Sequence, residues 1–335
     1  MLFAVHVLIA VLPVAVFLAA LVMFDSYKLL PFRLVIGAVV AGLLAAVAAY
    51  YVNGEVASLL GLSDRALSRY AAPVVEEILK GGFLLYLVYS DRVGFPIDAA
   101  IAGFAAGAGF AALENMYYLS VLGDAGTQIW VVRGFGTAVM HGTTTAVLAM
   151  IARTLLKSQE GIHPLPALAG LGASIVLHAV YNHFPLGVME GTLFLLVSAP
   201  LLLSVVFVQS ERSLQQWLGT GFDTDKELLD LLLSGRVSGT RMGEYLASLK
   251  EHFEPAVVAD MLCLIRIRVE LSLRAKGILM MREAGFDTPV DDAVVAKFEE
   301  LAYLEDAIGA TGLLALKPIH RWSRRELWQM NLLES

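Results

Sequence analysis

The chain has 335 residues, of which 58% are hydrophobic and 16% are charged, and its mean hydropathy is +0.70. These values exceed those of soluble globular domains and indicate a polytopic membrane protein. The net charge of −7 argues against nucleic acid as a partner. Cys263 is the only cysteine, which excludes an internal disulfide and a metal site with several cysteine ligands.

Charged residues are distributed unevenly along the chain. Residues 210–335 hold 15 of the 24 Lys and Arg residues and 20 of the 31 Asp and Glu residues. We therefore predict a transmembrane domain over residues 1–208 and a soluble domain over residues 209–335. Apolar residues recur at helical spacing in the soluble part, which predicts a small helical domain that docks or regulates.

Seven segments of the first domain are apolar enough to cross a bilayer, which takes about 20 residues each. The predicted spans are residues 2–24, 33–53, 73–90, 97–121, 128–153, 165–183 and 189–208. Residues 54–72 are mixed in character and predict an interfacial helix. The expected fold class is all-α: a polytopic membrane helix bundle of about seven spans with a C-terminal soluble helical domain.

The orientation of the spans is predicted from the Lys and Arg residues of the short loops, which favour the cytoplasmic side. Five of these residues follow spans one, three and five: Lys28, Arg33, Arg92, Arg153 and Lys157. Three lie on the opposite side: Arg65, Arg69 and Arg133. We therefore expect the N-terminus outside and the soluble domain in the cytoplasm.

Several ionisable and amide side chains lie inside the predicted spans, where such groups are costly and mark functional sites. They are Glu76, Glu77 and Lys80 in span three, Glu114 in span four, His141 in span five, and His178 with Asn182 in span six. At a rise of about 1.5 Å per residue, all of them fall in the outer half of the bilayer. We expect these side chains to line one polar cavity.

The spacing within each span supports a shared cavity. Residues four positions apart share a helix face, and the pairs are Glu76 with Lys80, Phe110 with Glu114, and His178 with Asn182. Gly103 and Gly107 form a small-xxx-small pattern, which lets helix backbones approach closely. Arg133, at the outer end of span five, either extends toward the headgroups or helps to neutralise the carboxylates.

Two other protease patterns do not fit. The zinc-protease motif HExxH is absent from the sequence. The residues Gly172-Ala173-Ser174, with His178 one turn later, are similar to the GxS motif of rhomboid proteases. Rhomboids take their serine and histidine from separate helices, however, and a serine dyad would leave the three glutamates in spans three and four unexplained.

Four patterns on successive spans resemble the PrsW group of intramembrane proteases, within the superfamily that includes the type II CAAX prenyl endopeptidases and the bacterial Abi proteins. That family has EExxK at the start of one span, FxxxE in the next, a histidine in the next, and HxxxD or HxxxN in the last. Here they are Glu76-Glu77-Ile78-Leu79-Lys80, Phe110 to Glu114, His141, and His178-Ala179-Val180-Tyr181-Asn182. The resemblance covers roughly residues 70–185 and leaves out the soluble domain.

The resemblance implies roles for these residues. The expected catalytic residues are Glu76 as general base, Glu77 beside it, Lys80 on the same face, and Asn182 as donor to the oxyanion. Two imidazoles and two carboxylates suit a divalent metal, with zinc the expected ion, and the candidate ligands are Glu77, Glu114, His141 and His178. The same groups could instead hold the attacking water without a metal, and the sequence leaves both possibilities open.

The implied function is that of an intramembrane endopeptidase. Its substrate would be a single-span membrane protein cut near the extracytoplasmic side of a prokaryotic cytoplasmic membrane, in regulated proteolysis of the anti-sigma-factor type. A proton- or ion-coupled transporter is an alternative, because carboxylates and histidines inside a membrane also carry protons. A noncatalytic membrane scaffold of the same fold is another, although none of the four patterns is lost.

Overall fold

The computed structural model describes residues 2–25, 27–122, 126–156, 163–286, 292–319 and 324–334. Within these ranges the secondary structure is helical, and none of the described residues lies in a β-strand. By their contacts, the residues divide into two compact units, Met1–Glu211 and Arg212–Ser335. The predicted all-α membrane bundle is confirmed.

The long helices of the first unit follow the predicted spans closely. They are α1 (Leu2–Phe24), α2 (Phe32–Leu60), α3 (Ala72–Tyr89), α4 (Pro96–Val121), α5 (Ala138–Leu155), α6 (Pro164–His183) and α7 (Val188–Leu233). Six described stretches are long and apolar enough to cross a membrane: Phe3–Phe24, Phe32–Leu60, Pro96–Val121, Thr127–Leu155, Pro164–His183 and Val188–Leu233. Helix α3 is not among them because it carries three charged residues, so the seventh span stays a prediction.

The helix that contains the second predicted span, residues 33–53, is longer than that span. Helix α2 continues through residues 54–60, and Gly61 follows as its C-cap. Gly61 has a φ of 60°, a left-handed conformation that ends the helix and that glycine adopts more readily than other residues. A short helix, Asp64–Ala66, then begins with the Ser63 hydroxyl accepting a hydrogen bond from the Ala66 amide. The expected single interfacial helix over residues 54–72 is therefore absent from this described region.

Two π-helical segments precede the helices that carry the candidate site residues. Leu67–Ala71 leads into α3, and Val132–Thr137 leads into α5 after a short helix at Thr127–Val131. Each segment has a backbone hydrogen bond over five residues, such as the one that the Ala138 amide donates to the Arg133 carbonyl. The extra residue in a π turn rotates the side chains that follow, and such turns are frequent at functional sites.

Helix α4 lies at the centre of the first unit and packs against α1, α2 and α5. It is rich in alanine and glycine and is buried along most of its length, as expected for a helix that is apolar on every side. A Cβ at Gly103 would lie 2.6 Å from the Thr145 carbonyl oxygen, and one at Gly107 would overlap the His141 carbonyl. The close approach predicted from Gly103 and Gly107 is confirmed, and it brings His141 beside α4.

In the described residues, the second unit contains the end of α7, a short 3-10 helix at Arg236–Gly239 and four further α-helices. They are α8 (Arg241–Leu249), α9 (Pro255–Glu283), α10 (Asp292–Leu316), which is broken at Gly309, and α11 (Arg324–Glu334). Its core is formed by α9, where Met261, Leu264 and Ile265 are fully buried.

We predict that Gly107→Ala destabilises the protein because the new methyl group would collide with the α5 backbone. Overpacking of this kind costs about 1–3 kcal/mol. The matched control is Gly172→Ala, because a Cβ at that position meets nothing within 4 Å. The thermal unfolding midpoint in detergent should fall for Gly107→Ala and stay unchanged or rise for Gly172→Ala; equal midpoints would contradict the packing described here.

Candidate active site

The beginning of α3 carries three buried ionisable side chains. The exposed fractions are 6% for Glu76, 0% for Glu77 and 1% for Lys80. Pro73 lies in the first turn of α3, directly after the π-helical segment Leu67–Ala71. Successive helical residues point about 100° apart, so the two glutamates face different neighbours.

Lys80 forms an ion pair with Glu77. Its Nζ donates a hydrogen bond to Glu77 Oε1 at 2.5 Å, and neither side chain is exposed. The sequence placed Lys80 on the face of Glu76, four residues away, but positions three residues apart are also neighbours on a helix. The ammonium also lies 4.7 Å from the centroid of the Phe110 ring. Lys80 is therefore the counter-ion of Glu77.

The hydrogen bonds of His141 define its tautomer. Lys80 Nζ lies 3.0 Å from His141 Nδ1, and because an ammonium only donates, Nδ1 must accept. His141 Nε2 lies 3.2 Å from Glu114 Oε2, and because a carboxylate only accepts, Nε2 must donate. His141 is thus the neutral tautomer with its proton on Nε2.

His178 is held in a similar way from α6. Its Nδ1 donates to Glu77 Oε1 at 2.9 Å, which leaves Nε2 directed toward Glu76, 3.8 Å from Oε2. The rings of His141 and His178 meet edge to face, with centroids 4.8 Å apart. Each imidazole therefore has one nitrogen bound to a carboxylate, as is usual for histidines that bind a metal or act in catalysis.

The two adjacent glutamates differ in how many hydrogen bonds their oxygens accept. Glu77 Oε1 accepts from Lys80, from His178 and from Thr144, whose hydroxyl lies 3.2 Å away. Glu76 Oε1 accepts one bond, from Asn53 Nδ2 at 3.2 Å. Among the described residues, Oε2 of each glutamate is buried without a hydrogen-bond donor. A buried polar atom without a protein partner is usually bound by a ligand, a water molecule or an ion.

The charged cluster consists of Glu76, Glu77, Lys80, Glu114, His141 and His178. Glu114 is its most exposed member, with 22% of its side chain accessible. Arg133 Nη2 donates to Glu114 Oε2 at 2.9 Å, and Arg133 Nε donates to Asn115 Oδ1 at 2.9 Å. The sequence left Arg133 either extending toward the headgroups or neutralising carboxylates. In the structure it pairs with Glu114.

Asn182 lies one turn beyond His178 but contacts a different region. Its Nδ2 donates to the Ser68 carbonyl at 2.9 Å, in the π-helical segment before α3. The other six predicted residues are linked by direct contacts: Glu76, Glu77, Lys80, Glu114, His141 and His178.

Sequence reasoning missed three polar residues of the site. Asn53, Asn115 and Thr144 each bind one of the charged side chains or its partner. Asparagine within an apolar span is itself a signal of function, and Asn53 and Asn115 could have been found in this way. The part played by Thr144 depends on its position one turn after His141, which the sequence does not distinguish from the neighbouring threonines.

One group of side chains within the described ranges could hold a metal ion. Ligand atoms of Glu76, His141 and His178 all lie within 4.8 Å of one another, and all three residues are buried. Two histidines and one glutamate form a donor set found in catalytic zinc sites. Of the four predicted ligands, His141 and His178 belong to this group, whereas Glu77 and Glu114 bind Lys80 and Arg133.

The chain was compared with models of known protein families. The family model described as PrsW family intramembrane metalloprotease matches residues 30–209. That range begins just before α2, ends within α7 and contains every residue of the cluster, whereas α1 precedes it. No curated protein and no solved structure matches the chain.

We predict that Lys80→Met destabilises the protein more than the double change Glu77→Gln with Lys80→Met. The single change leaves a buried carboxylate without its counter-ion, at a cost on the order of 3 kcal/mol. The double change removes both charges and should recover part of that loss. Thermal unfolding in detergent measures both variants, and a double variant no more stable than the single one would contradict the ion pair.

Proposed function

Because the chain belongs to the PrsW family of intramembrane metalloproteases, we propose that it hydrolyses a peptide bond of a membrane-anchored protein. The observation that carries the proposal is the buried pair of atoms Glu76 Oε2 and His178 Nε2, 3.8 Å apart. Within the described residues, Glu76 Oε2 receives no hydrogen bond. One water molecule between these atoms could reach both of them at ordinary hydrogen-bond distances.

Glu76 is the general base of the proposed reaction. Asn53 holds Oε1, so Oε2 is the oxygen available to take a proton from water, which then attacks the scissile carbonyl. His178 Nε2 accepts the second hydrogen of the same water and orients it. Glu76 afterwards returns its proton to the leaving amine, so the proton balance of the hydrolysis is closed.

Glu77 and Glu114 fix the orientation of the two imidazoles in this proposal. Glu77 binds His178 Nδ1 at 2.9 Å and Glu114 binds His141 Nε2 at 3.2 Å. A carboxylate on one nitrogen selects the tautomer and makes the other nitrogen more basic. We therefore assign Glu77 and Glu114 to positioning, in place of the metal-ligand roles expected from the sequence.

A divalent ion, with zinc as our proposal, would be held by Glu76, His141 and His178. The unsatisfied Glu76 Oε2 and the unprotonated Nε2 of His178 fit such an ion. With an ion bound, these two atoms would be its ligands, so the direct contact of Glu76 and His178 with water described above applies to the site without metal. When bound, the ion would make a water molecule easier to deprotonate and would polarise the substrate carbonyl. Both nitrogens of His141 already take part in hydrogen bonds, so the ion would replace one of these contacts.

Asn182 remains our candidate for the oxyanion donor. An amide nitrogen carries two hydrogens, and the bond to the Ser68 carbonyl uses one of them. The second hydrogen can serve the negative oxygen of the tetrahedral intermediate. Preorganised donors of this kind contribute a few kcal/mol to catalysis.

The proposed substrate is a single-span membrane protein, cleaved near the extracytoplasmic end of its span. The family resemblance suggests an anti-sigma factor as the type of substrate. We further propose that the N-terminus lies outside a prokaryotic cytoplasmic membrane and that residues 209–335 lie in the cytoplasm, which the loop charges support. Family membership favours this peptidase function over a transporter.

We predict that Glu76→Gln abolishes cleavage of single-span reporter proteins in detergent or liposomes. A general base contributes about 10²–10⁴-fold to the rate, so the residual activity should fall at least that far. The matched control is Glu55→Gln, because Glu55 is an exposed glutamate on α2. Cleavage that persists in Glu76→Gln would contradict the assignment of this site.

We also predict that the purified protein binds one divalent ion and that His178→Gln loses it. Elemental analysis after dialysis measures the stoichiometry directly and does not depend on knowing the substrate. Glu55→Gln should bind the ion like the wild type. Cleavage by wild-type protein that contains no ion would contradict the metal and leave a water activated by Glu76 alone.

A further inference from the structure

We propose that Arg133 is a positioning residue of the reaction, acting through Glu114 on His141, and that α1 supports it. The inference rests on the proposed function for its catalytic meaning. Arg133 lies in the π-helical segment Val132–Thr137, eight residues before His141. It belongs to none of the four patterns by which the sequence indicated the site.

The side chain of Arg133 is fixed on three sides. Nη2 donates to Glu114 Oε2 and Nε donates to Asn115 Oδ1, both at 2.9 Å, and the guanidinium lies 3.8 Å from the centroid of the Tyr118 ring. Only 15% of the side chain is exposed. A planar guanidinium reaches two acceptors and an aromatic face at once, which a lysine ammonium does not reproduce.

Asn115 ties Arg133 to α1. This asparagine is fully buried, and its Nδ2 donates to the Ala10 carbonyl at 2.7 Å and to the Arg133 carbonyl at 3.4 Å. The neighbouring Gly134 touches the same helix, because a Cβ there would overlap the Ile9 carbonyl. Helix α1 precedes the residues matched by the family model, and it contacts the segment Val132–Thr137 that carries Arg133.

Glu114 connects Arg133 to His141. Its Oε2 accepts from both Arg133 and His141 Nε2. The guanidinium fixes the position of this acceptor, so His141 donates from Nε2 and offers Nδ1 to Lys80. Without Arg133, the partly exposed carboxylate can turn toward water, and the proton of His141 is no longer confined to Nε2.

The first test is a double-mutant cycle of Arg133→Gln and Glu114→Gln, measured by reporter cleavage. Loss of such a supporting contact typically costs 10–100-fold. We expect Arg133→Gln to lower kcat by about this factor with KM unchanged, and to add little when Glu114→Gln is already present. Arg65→Gln, which changes an exposed arginine, should leave kcat unchanged. Independent, multiplicative losses in the cycle would overturn the proposal.

The second test does not require cleavage. The ¹⁵N spectrum of labelled histidine side chains distinguishes the two neutral tautomers, and His141→Asn assigns the signal of His141. We expect the Nε2-protonated form in the metal-free wild type and a mixture of tautomers in metal-free Arg133→Gln. Arg133→Lys keeps the charge beside Glu114 but not every contact of the guanidinium, so it should show more of the Nε2-protonated form than Arg133→Gln. An unchanged His141 signal in Arg133→Gln would overturn the proposal. If the wild type cleaved nothing, the proposed function would fail and this spectrum would still decide the role of Arg133.

Discussion

The site depends on the ion pair between Glu77 and Lys80, which is buried within the helix bundle. Removing two charges from water is costly, and it is tolerated only when their remaining hydrogen-bonding capacity is used. Here Glu77 Oε1 also accepts from Thr144 on α5 and His178 on α6, while Lys80 also donates to His141. The pair therefore connects three helices through hydrogen bonds, and among the described residues it leaves Glu76, the adjacent residue, without a Lys or Arg partner. That contrast between neighbouring carboxylates is the basis of their different roles.

Backbone packing determines whether these groups can meet. The glycines of α4 bring that helix against α5, so that Glu114 and His141 lie within hydrogen-bond distance. Arg133 itself lies in the π-helical segment before α5 and reaches Glu114 from there. Chemistry and packing are thus coupled, because a change in helix separation at Gly107 would also move His141. The same coupling explains why a helix outside the matched range, α1, can contribute to the geometry of the site.

The helical membrane bundle and six of the seven predicted site residues that meet in one cluster could be predicted from the sequence. The reason is physical. Long apolar runs have few alternatives to a membrane helix, and an ionisable residue among them is costly enough to stand out. The sequence did not predict which glutamate Lys80 would choose, because positions three and four residues apart are equally near on a helix. It also missed the role of Asn115 and the extension of α2 through residues 54–60. Those features depend on contacts between distant parts of the chain and on where Gly61 ends the helix.

In the proposed reaction, a water molecule activated at Glu76 hydrolyses a peptide bond of a membrane protein. The most direct measurement is cleavage of a single-span reporter in liposomes made in H₂¹⁸O, followed by mass spectrometry of the new C-terminus. We expect one ¹⁸O atom in the new carboxylate for wild-type protein and for Glu55→Gln, and no cleavage by Glu76→Gln. Labelled product formed equally well by Glu76→Gln, or no cleavage of any reporter by the wild type, would contradict it.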